Sequence, residues 1–186
     1  MKKRIKNSKI IQASSLDFQE RWNEHRIVLS LLSFKNPSVL LATWFGCGAI
    51  FPGPGFWGTL GGVPLGIALL VFFGPAALPI AALTLFIIGL KVSKDFEQMT
   101  RRHDSSIIVI DEVAALLLAF TVATPTPLGI AVAVALFRIF DVAKVWPVSY
   151  FDDRVPGAWG VMLDDVFAAI YTMIVLGILS YAGITL

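Results

Sequence analysis

Charged residues are scarce in this sequence, and long stretches contain none of them. Asp, Glu, Lys and Arg make up 15% of the 186 residues, whereas a soluble domain of this size has about 25%. Three runs without a charge stand out, at 60–90, 113–137 and 166–186. Long charge-free apolar runs are typical of segments that span a membrane. The shortage of charge therefore excludes an ordinary soluble domain and predicts a small polytopic membrane protein.

Cysteine is almost absent, which excludes a disulfide framework and a cysteine-based metal site. The single cysteine, Cys47, has no partner for an internal disulfide and no neighbour at metal-ligand spacing. We interpret it as a small packed residue, which is the usual role of a buried cysteine.

Positive charge is concentrated at the N-terminus. Eight of the fifteen Lys and Arg residues precede Pro37, together with only three acids. This distribution is typical of a cytoplasmic segment near anionic lipid headgroups. We expect residues 1–36 to form a basic cytoplasmic arm, with an amphipathic helix over roughly 15–32, and residues 37–186 to form the membrane domain. The basic residues form no patterned face, so nucleic-acid binding is not expected.

Proline and glycine divide the apolar sequence into segments. The stretch 37–51 is short for a span, and "PGPGFWGTLGG" at 52–62 predicts a loop. We interpret 37–51 as a re-entrant or interfacial segment. Gly74-Pro75 divides the run 60–90 into halves of about 15 residues, which are short for a hydrocarbon core of about 30 Å.

Three further spans complete the predicted fold, an all-α membrane bundle. They are expected at about 107–124, 128–146 and 161–183. Lys and Arg occur in the arm, at 91–106 and at 147–160, but not in the turns at 74–79 and 124–127. Because positively charged loops stay in the cytoplasm, the charged ends of the spans are expected on the cytoplasmic side.

Seven charged residues lie within these spans, all toward the predicted cytoplasmic ends. They are Asp111, Glu112, Arg138, Asp141, Lys144, Asp164 and Asp165. Arg138, Asp141 and Lys144 are spaced i, i+3, i+6, which predicts that they share one helix face. Charged residues inside membrane segments are usually functional, so we expect the seven to form one site. Asp152 and Asp153, in the 147–160 loop, are expected to be solvated surface residues.

The residue types indicate a chemistry. Clustered carboxylates in low dielectric need a counter-charge, and Mg²⁺ prefers carboxylate and water oxygens. Such an ion polarises phosphate oxygens, while Arg and Lys stabilise the charge on the transferred group. The sequence thus predicts metal-assisted phosphoryl transfer on a membrane-embedded phosphate ester. A cation-coupled transporter or ion pathway is the alternative, because it too places acids within helices, and a catalytically inactive scaffold is a third interpretation.

Four motifs carry a family resemblance. "FGCG…GTLGG", "IVIDEV", "FRIFDVAKVWPV" and "MLDDVFAA" resemble, in order and spacing, the signature blocks of bacterial phosphatidylglycerophosphatase A. The resemblance covers roughly 37–186. It implies a bacterial inner-membrane enzyme that hydrolyses phosphatidylglycerophosphate to phosphatidylglycerol and phosphate and depends on Mg²⁺. It also implies that the seven charged residues, expected on the cytoplasmic side from the charge distribution, form its site.

We expect the following division of roles. Asp111, Asp164 and Asp165 bind one or two Mg²⁺ ions, and Glu112 or Asp141 completes the shell or acts as the base. Arg138 and Lys144 hold the phosphate. The first block is longer than the family's usual Pro-Gly-Thr turn, and its best matches, Gly58, Thr59 and Gly61, are expected to bind phosphate through backbone N–H groups. The nucleophile is either water or an aspartate, and the sequence leaves the oligomeric state open.

The chain also departs from the family pattern in its small residues. Ala115 stands where the family usually has Gly, Val145 where it has Pro after Lys, and Ala168-Ala169 end the "DD" block. The ionisable residues are all retained, which predicts a diverged member with intact chemistry.

Overall fold

The computed structural model describes residues 2–101 and 105–184, and for residues 2–16 it describes the backbone only. The described chain is helical throughout, without strands, which confirms the predicted all-α class. The elements are α1 (Lys2–Leu31), α2 (Pro37–Ala42), a 3-10 turn (Cys47–Ala49), α3 (Pro54–Phe73), α4 (Ala77–Thr100), α5 (Ile110–Phe120), α6 (Pro127–Ala143), α7 (Val148–Arg154) and α8 (Ala158–Tyr181).

The chain divides into two compact units, the first ending at Leu32 and the second comprising Ser33–Leu186. The first unit is the single 30-residue helix α1. The sequence predicts a helix only over roughly 15–32, but Lys, Arg and Gln are good helix formers, which accounts for the greater length. An amphipathic helix lying on the cytoplasmic membrane surface stays a prediction.

In the described part of the second unit, three helices are long and apolar enough to cross a membrane. These are α3 with 20 residues, α4 with 24 and α8 with 24. The predicted break at Gly74-Pro75 is present, and Gly74 ends α3 with a φ of 79°. The prediction that both halves of this hairpin are short is wrong, because α4 continues through the polar stretch to Thr100. The Lys, Glu and Gln residues of that stretch are compatible with a helix.

The prediction of a loop at 52–62 is also wrong for most of that range, because α3 begins at Pro54. Gly53, with a φ of 72°, makes the turn into α3. Pro54 occupies the first helical position, where the missing N–H costs no hydrogen bond. The glycines at 55–62 then lie inside the helix, and several of them face side chains that leave no room for a Cβ atom.

The segment 37–51 does not form a spanning helix, as expected. It contains the six-residue α2, a reversal at Trp44 and Phe45 with positive φ, and the 3-10 turn. The N–H of Val109 donates to the carbonyl of Ala42 at 2.9 Å, which fixes the segment against the start of α5. The prediction that this segment is re-entrant or lies at the membrane interface is not tested by these contacts and stays a prediction.

Helix α5 is the central element of the second unit. Nine of its eleven residues are buried, and it packs against α3, α4, α6 and α8. Eleven residues extend only about 16 Å, so α5 is much shorter than the span predicted at 107–124. Its apolar side chains are covered by protein rather than lipid. A protein core and a lipid bilayer both favour apolar side chains, and for this reason the sequence alone predicts a membrane span here.

Candidate active site

The N-terminal halves of α3, α5 and α8 meet the C-terminal end of α6 at one end of the second unit. Arg138, on α6, joins three of these helices. Its Nη1 lies 2.7 Å from Asp141 Oδ2 on its own helix and 3.2 Å from Glu112 Oε1 on α5. It also donates to the hydroxyl of Thr59 on α3, at 3.3 Å. One guanidinium therefore holds the start of α5 to α3 and α6.

Lys144 forms the opposite side of the group. It follows the last residue of α6 in a left-handed conformation, with a φ of 44°. Its Nζ lies 3.2 Å from Asp164 Oδ2 on α8 and also pairs with Asp152 on α7. The prediction that Arg138, Asp141 and Lys144 share one helix face therefore holds for the first two and is wrong for Lys144.

The pairing of Asp152 corrects a second prediction. We expected a solvated surface residue, but its carboxylate is partly buried and binds Lys144. Asp152 belongs to α7, a short helix between two prolines that folds back onto α8. Helical spacing cannot reveal such a contact, because Lys144 and Asp152 lie on different elements.

Asp111, Asp164 and Asp165 form the buried centre of the group. Their exposed fractions are 6%, 7% and 3%. Asp165 lies close enough to both other aspartates for their charges to repel. Within residues 17–101 and 105–184, no Lys or Arg forms an ion pair with Asp111 or Asp165. Of the three carboxylates, Asp164 therefore has a cationic partner in Lys144, and Asp111 and Asp165 have none in the described chain.

The expected phosphate-binding amides of α3 are not available. Gly58, Thr59 and Gly61 lie inside the helix, where backbone N–H groups bond to the carbonyl four residues earlier. Gly58 instead allows α3 to pack tightly against the start of α5, because an added Cβ would lie 2.4 Å from Val109 Cβ and 2.8 Å from Glu112 Oε2. Thr59 contributes its hydroxyl instead, 3.3 Å from Glu112 Oε2.

Gly61 contacts a different part of the unit. A Cβ there would lie 2.6 Å from Cys47 Sγ, and its carbonyl accepts a hydrogen bond from Trp44 Nε1 at 2.8 Å. Burial raises the pKa of the Cys47 thiol, which keeps it neutral and agrees with a packed structural residue. Gly55, which the sequence did not single out, is the glycine nearest to the acids, since its Cβ would lie 2.0 Å from Glu112 Oε1.

The donor chemistry of the group suits Mg²⁺. Three buried carboxylates supply the hard oxygen ligands that this ion prefers, and two of them lack a cationic partner in the described chain. As the side chains stand, no three His, Cys, Asp or Glu residues among those described converge closely enough to hold a metal ion. Metal binding by this set therefore requires the carboxylates to turn from the positions they occupy here.

These features define a class: an all-α protein with span-length helices and a buried acidic site at one end of them. The chain belongs to the phosphatidylglycerophosphatase A family, because the model of that family matches residues 40–180. The resemblance inferred from the four motifs is thereby confirmed.

Curated relatives support the same assignment. Over 154 residues the chain is 38% identical to phosphatidylglycerophosphatase A of Haemophilus influenzae, an alignment that covers 82% of this chain and 94% of the relative. Over 159 residues it is 31% identical to the Escherichia coli K12 protein of the same name, covering 84% and 90% of the two chains. No solved structure matches the chain.

Proposed function

We propose that this protein hydrolyses phosphatidylglycerophosphate to phosphatidylglycerol and inorganic phosphate at the cytoplasmic face of a bacterial inner membrane. One observation carries the proposal: buried carboxylates from α5 and α8 meet between two cations of the α6 end, in a unit with span-length helices. The names of the two relatives, which cover most of the chain, support the same substrate.

Arg138 and Lys144 are proposed to hold the substrate phosphate. They approach the acidic centre from different sides, and each is already bound to carboxylates. A phosphate monoester therefore binds by exchanging some of these ion pairs for charge-assisted hydrogen bonds to its own oxygens.

Asp111, Asp164 and Asp165 are proposed to hold one or two Mg²⁺ ions. When bound, the ion neutralises the buried carboxylates and polarises a phosphate oxygen. The support is the donor set itself, since mutually repelling buried carboxylates are unfavourable unless a cation or protons compensate them.

Two nucleophiles fit the arrangement. In one route water attacks phosphorus, Glu112 or Asp141 takes its proton, and the bond from phosphorus to the headgroup glycerol oxygen breaks. In the other, an aspartate displaces the glycerol oxygen and water then hydrolyses the aspartyl-phosphate. Acid quenching with phosphorus-labelled substrate distinguishes them, because only the second route leaves label on the protein.

The test of the proposed function is phosphate release from a panel of lipid phosphates by the purified protein, with Mg²⁺ or with a chelator. We expect release from phosphatidylglycerophosphate in excess over phosphatidic acid, and loss of release on chelation that Mg²⁺ restores. Cation flux in proteoliposomes without phosphate release would instead support the transporter alternative. Release that persists unchanged after exhaustive chelation would contradict the Mg²⁺ assignment.

A further inference from the structure

One cavity of the second unit is apolar and lies between helices that carry or neighbour the acidic site. It is a groove of about 260 Å³ between α4, α5 and α8. We call it the lateral groove, and the lining residues used below are Leu83, Phe86, Ala114, Leu118, Leu163 and Val166. All of these side chains are apolar, so the groove offers nothing to a phosphate and suits a hydrocarbon.

The lateral groove is continuous with the acidic site along α5. Asp111, Ala114 and Leu118 are spaced i, i+3, i+7, which places them on one face of that helix. The acid lies at the N-terminal end of this face, and the two groove residues follow it toward the other end. On α8, Leu163 and Val166 share one helix face and line the groove, while Asp164 and Asp165 lie between them in sequence, on the other side of the helix. The groove therefore begins one helical turn from Asp111 along α5.

The groove also opens to the outside of the unit. Leu83 lines it and is 62% exposed, on a helix long enough to cross a membrane. In a bilayer this side chain faces lipid. A molecule with its polar end at the carboxylates and its apolar end in the groove can thus enter sideways from the membrane.

We propose that the lateral groove binds one acyl chain of the phospholipid substrate and so positions the phosphate at the acidic site. The inference rests on the proposed function, because the occupant is the chain covalently joined to the reacting phosphate. The acyl chain is already out of water in the bilayer, so its transfer into the groove gains little hydrophobic free energy. The groove acts instead through orientation, by fixing the distance and direction from the chain to the phosphate.

Direct detection of the occupant requires no variant and no turnover. The probe is phosphatidylglycerol with a diazirine in one acyl chain, in vesicles containing the full-length protein. We expect photolysis to label peptides that contain residues 83–86 and 163–166 above all other lipid-facing peptides. Labelling spread evenly over the exposed apolar surface of α3, α4 and α8 would overturn the proposal.

A matched pair of variants tests the same point kinetically. Leu83→Trp fills the mouth of the groove, whereas Ile87→Trp adds the same bulk one turn later on α4, at a side chain 61% exposed that does not line the groove. We expect Leu83→Trp to lower kcat/KM for long-chain phosphatidylglycerophosphate about tenfold and to abolish the selective photolabelling. We expect Ile87→Trp to leave kcat/KM and the selective photolabelling unchanged.

The deacylated, water-soluble headgroup phosphate separates this proposal from the function itself. We expect the wild type and both variants to hydrolyse it equally, because it has no chain for the groove to hold. If the wild type hydrolyses neither substrate, the proposed function fails while photolabelling still tests the groove. Equal effects of the two tryptophans, or a dimer that Leu83→Trp dissociates, would show that the groove does not serve an acyl chain.

Discussion

At the scale of single residues, the same local arrangement occurs twice. In Asp111-Glu112 and in Asp164-Asp165, the first carboxylate accepts the N–H of the second residue at 2.9 Å. One member of each pair then binds a cation, Glu112 to Arg138 and Asp164 to Lys144. The other members, Asp111 and Asp165, remain in the buried centre. In each pair, one carboxylate thus binds a cation of the site, and the other has no cationic partner in the described chain.

This division predicts opposite effects on activity and stability at Asp165. The near-isosteric change Asp165→Asn removes a buried carboxyl group whose ionised form is disfavoured by burial and by the neighbouring carboxylates. We expect phosphate release to fall at least about a hundredfold, while the free energy of unfolding without Mg²⁺ rises by on the order of 1 kcal/mol. Phosphate assays and thermal unfolding in detergent, both on the purified protein, measure the two effects.

Asp153→Asn is the matched control, because Asp153 is an exposed aspartate near the same end of the unit. This variant should change neither phosphate release nor the free energy of unfolding. Loss of both activity and stability in Asp165→Asn would mean that Asp165 has a structural role, and the assignment of a metal ligand there would be wrong.

At the scale of elements, glycines determine how α3 packs. Gly58, Gly62 and Gly66 are spaced by four, which places them along one side of the helix. An added Cβ at each would lie within 3.1 Å of a side-chain atom from the segment 109–120. Small residues at this spacing let two membrane helices approach closely, and here they set the distance between Thr59 and Glu112.

Gly58→Ala should therefore disturb the site through the backbone. The new methyl overlaps Val109 and the Glu112 carboxylate, so we expect a loss of about 1–3 kcal/mol in unfolding free energy and a clear drop in activity. Gly177→Ala, inside α8 with nothing within 4 Å of its Cβ position, should be neutral or stabilising by up to about 1 kcal/mol. Equal behaviour of the two variants in unfolding experiments would show that α3 and α5 are not packed as described.

At the scale of the whole molecule, the charge distribution predicts an orientation. The connections between α3 and α4 and between α5 and α6 contain no Lys or Arg, and both lie at the end away from the acids. Arg101 follows the last residue of α4 and Arg154 ends α7, both toward the end of the unit that carries the acids. The positive-inside rule therefore predicts that the acidic site faces the cytoplasm.

Cysteine labelling checks this orientation. In a Cys47→Ala background, which removes the single native thiol, Asp153→Cys places a thiol near the site and Ala76→Cys places one at the opposite end. A membrane-impermeant maleimide should label the Asp153→Cys variant in inverted membrane vesicles only and the Ala76→Cys variant in spheroplasts only. The reverse pattern would put the site on the outer face.

Composition and motif order were sufficient for the class and the family, and they singled out seven charged residues of the group but not Asp152. Local features such as the break at Gly74-Pro75 were also predictable, because they depend on the backbone of a few neighbouring residues. The bounds of α3 and α4 were not predictable from the sequence. Glycines and helix-compatible polar residues occur both in loops and in tightly packed helices, so their presence does not distinguish the two.

The sequence by itself determined that the protein is a helical membrane protein with acids placed near helix ends, since hydropathy and charge act locally along the chain. Only the tertiary structure decided which acids have cationic partners, that Asp152 joins the site, and that α5 is enclosed by protein instead of lipid. The physical reason is that pairing and burial depend on distances between separate helices. Those distances are set by side-chain packing, such as the contact of Gly58 with Val109, and the order of residues along the chain does not encode them directly.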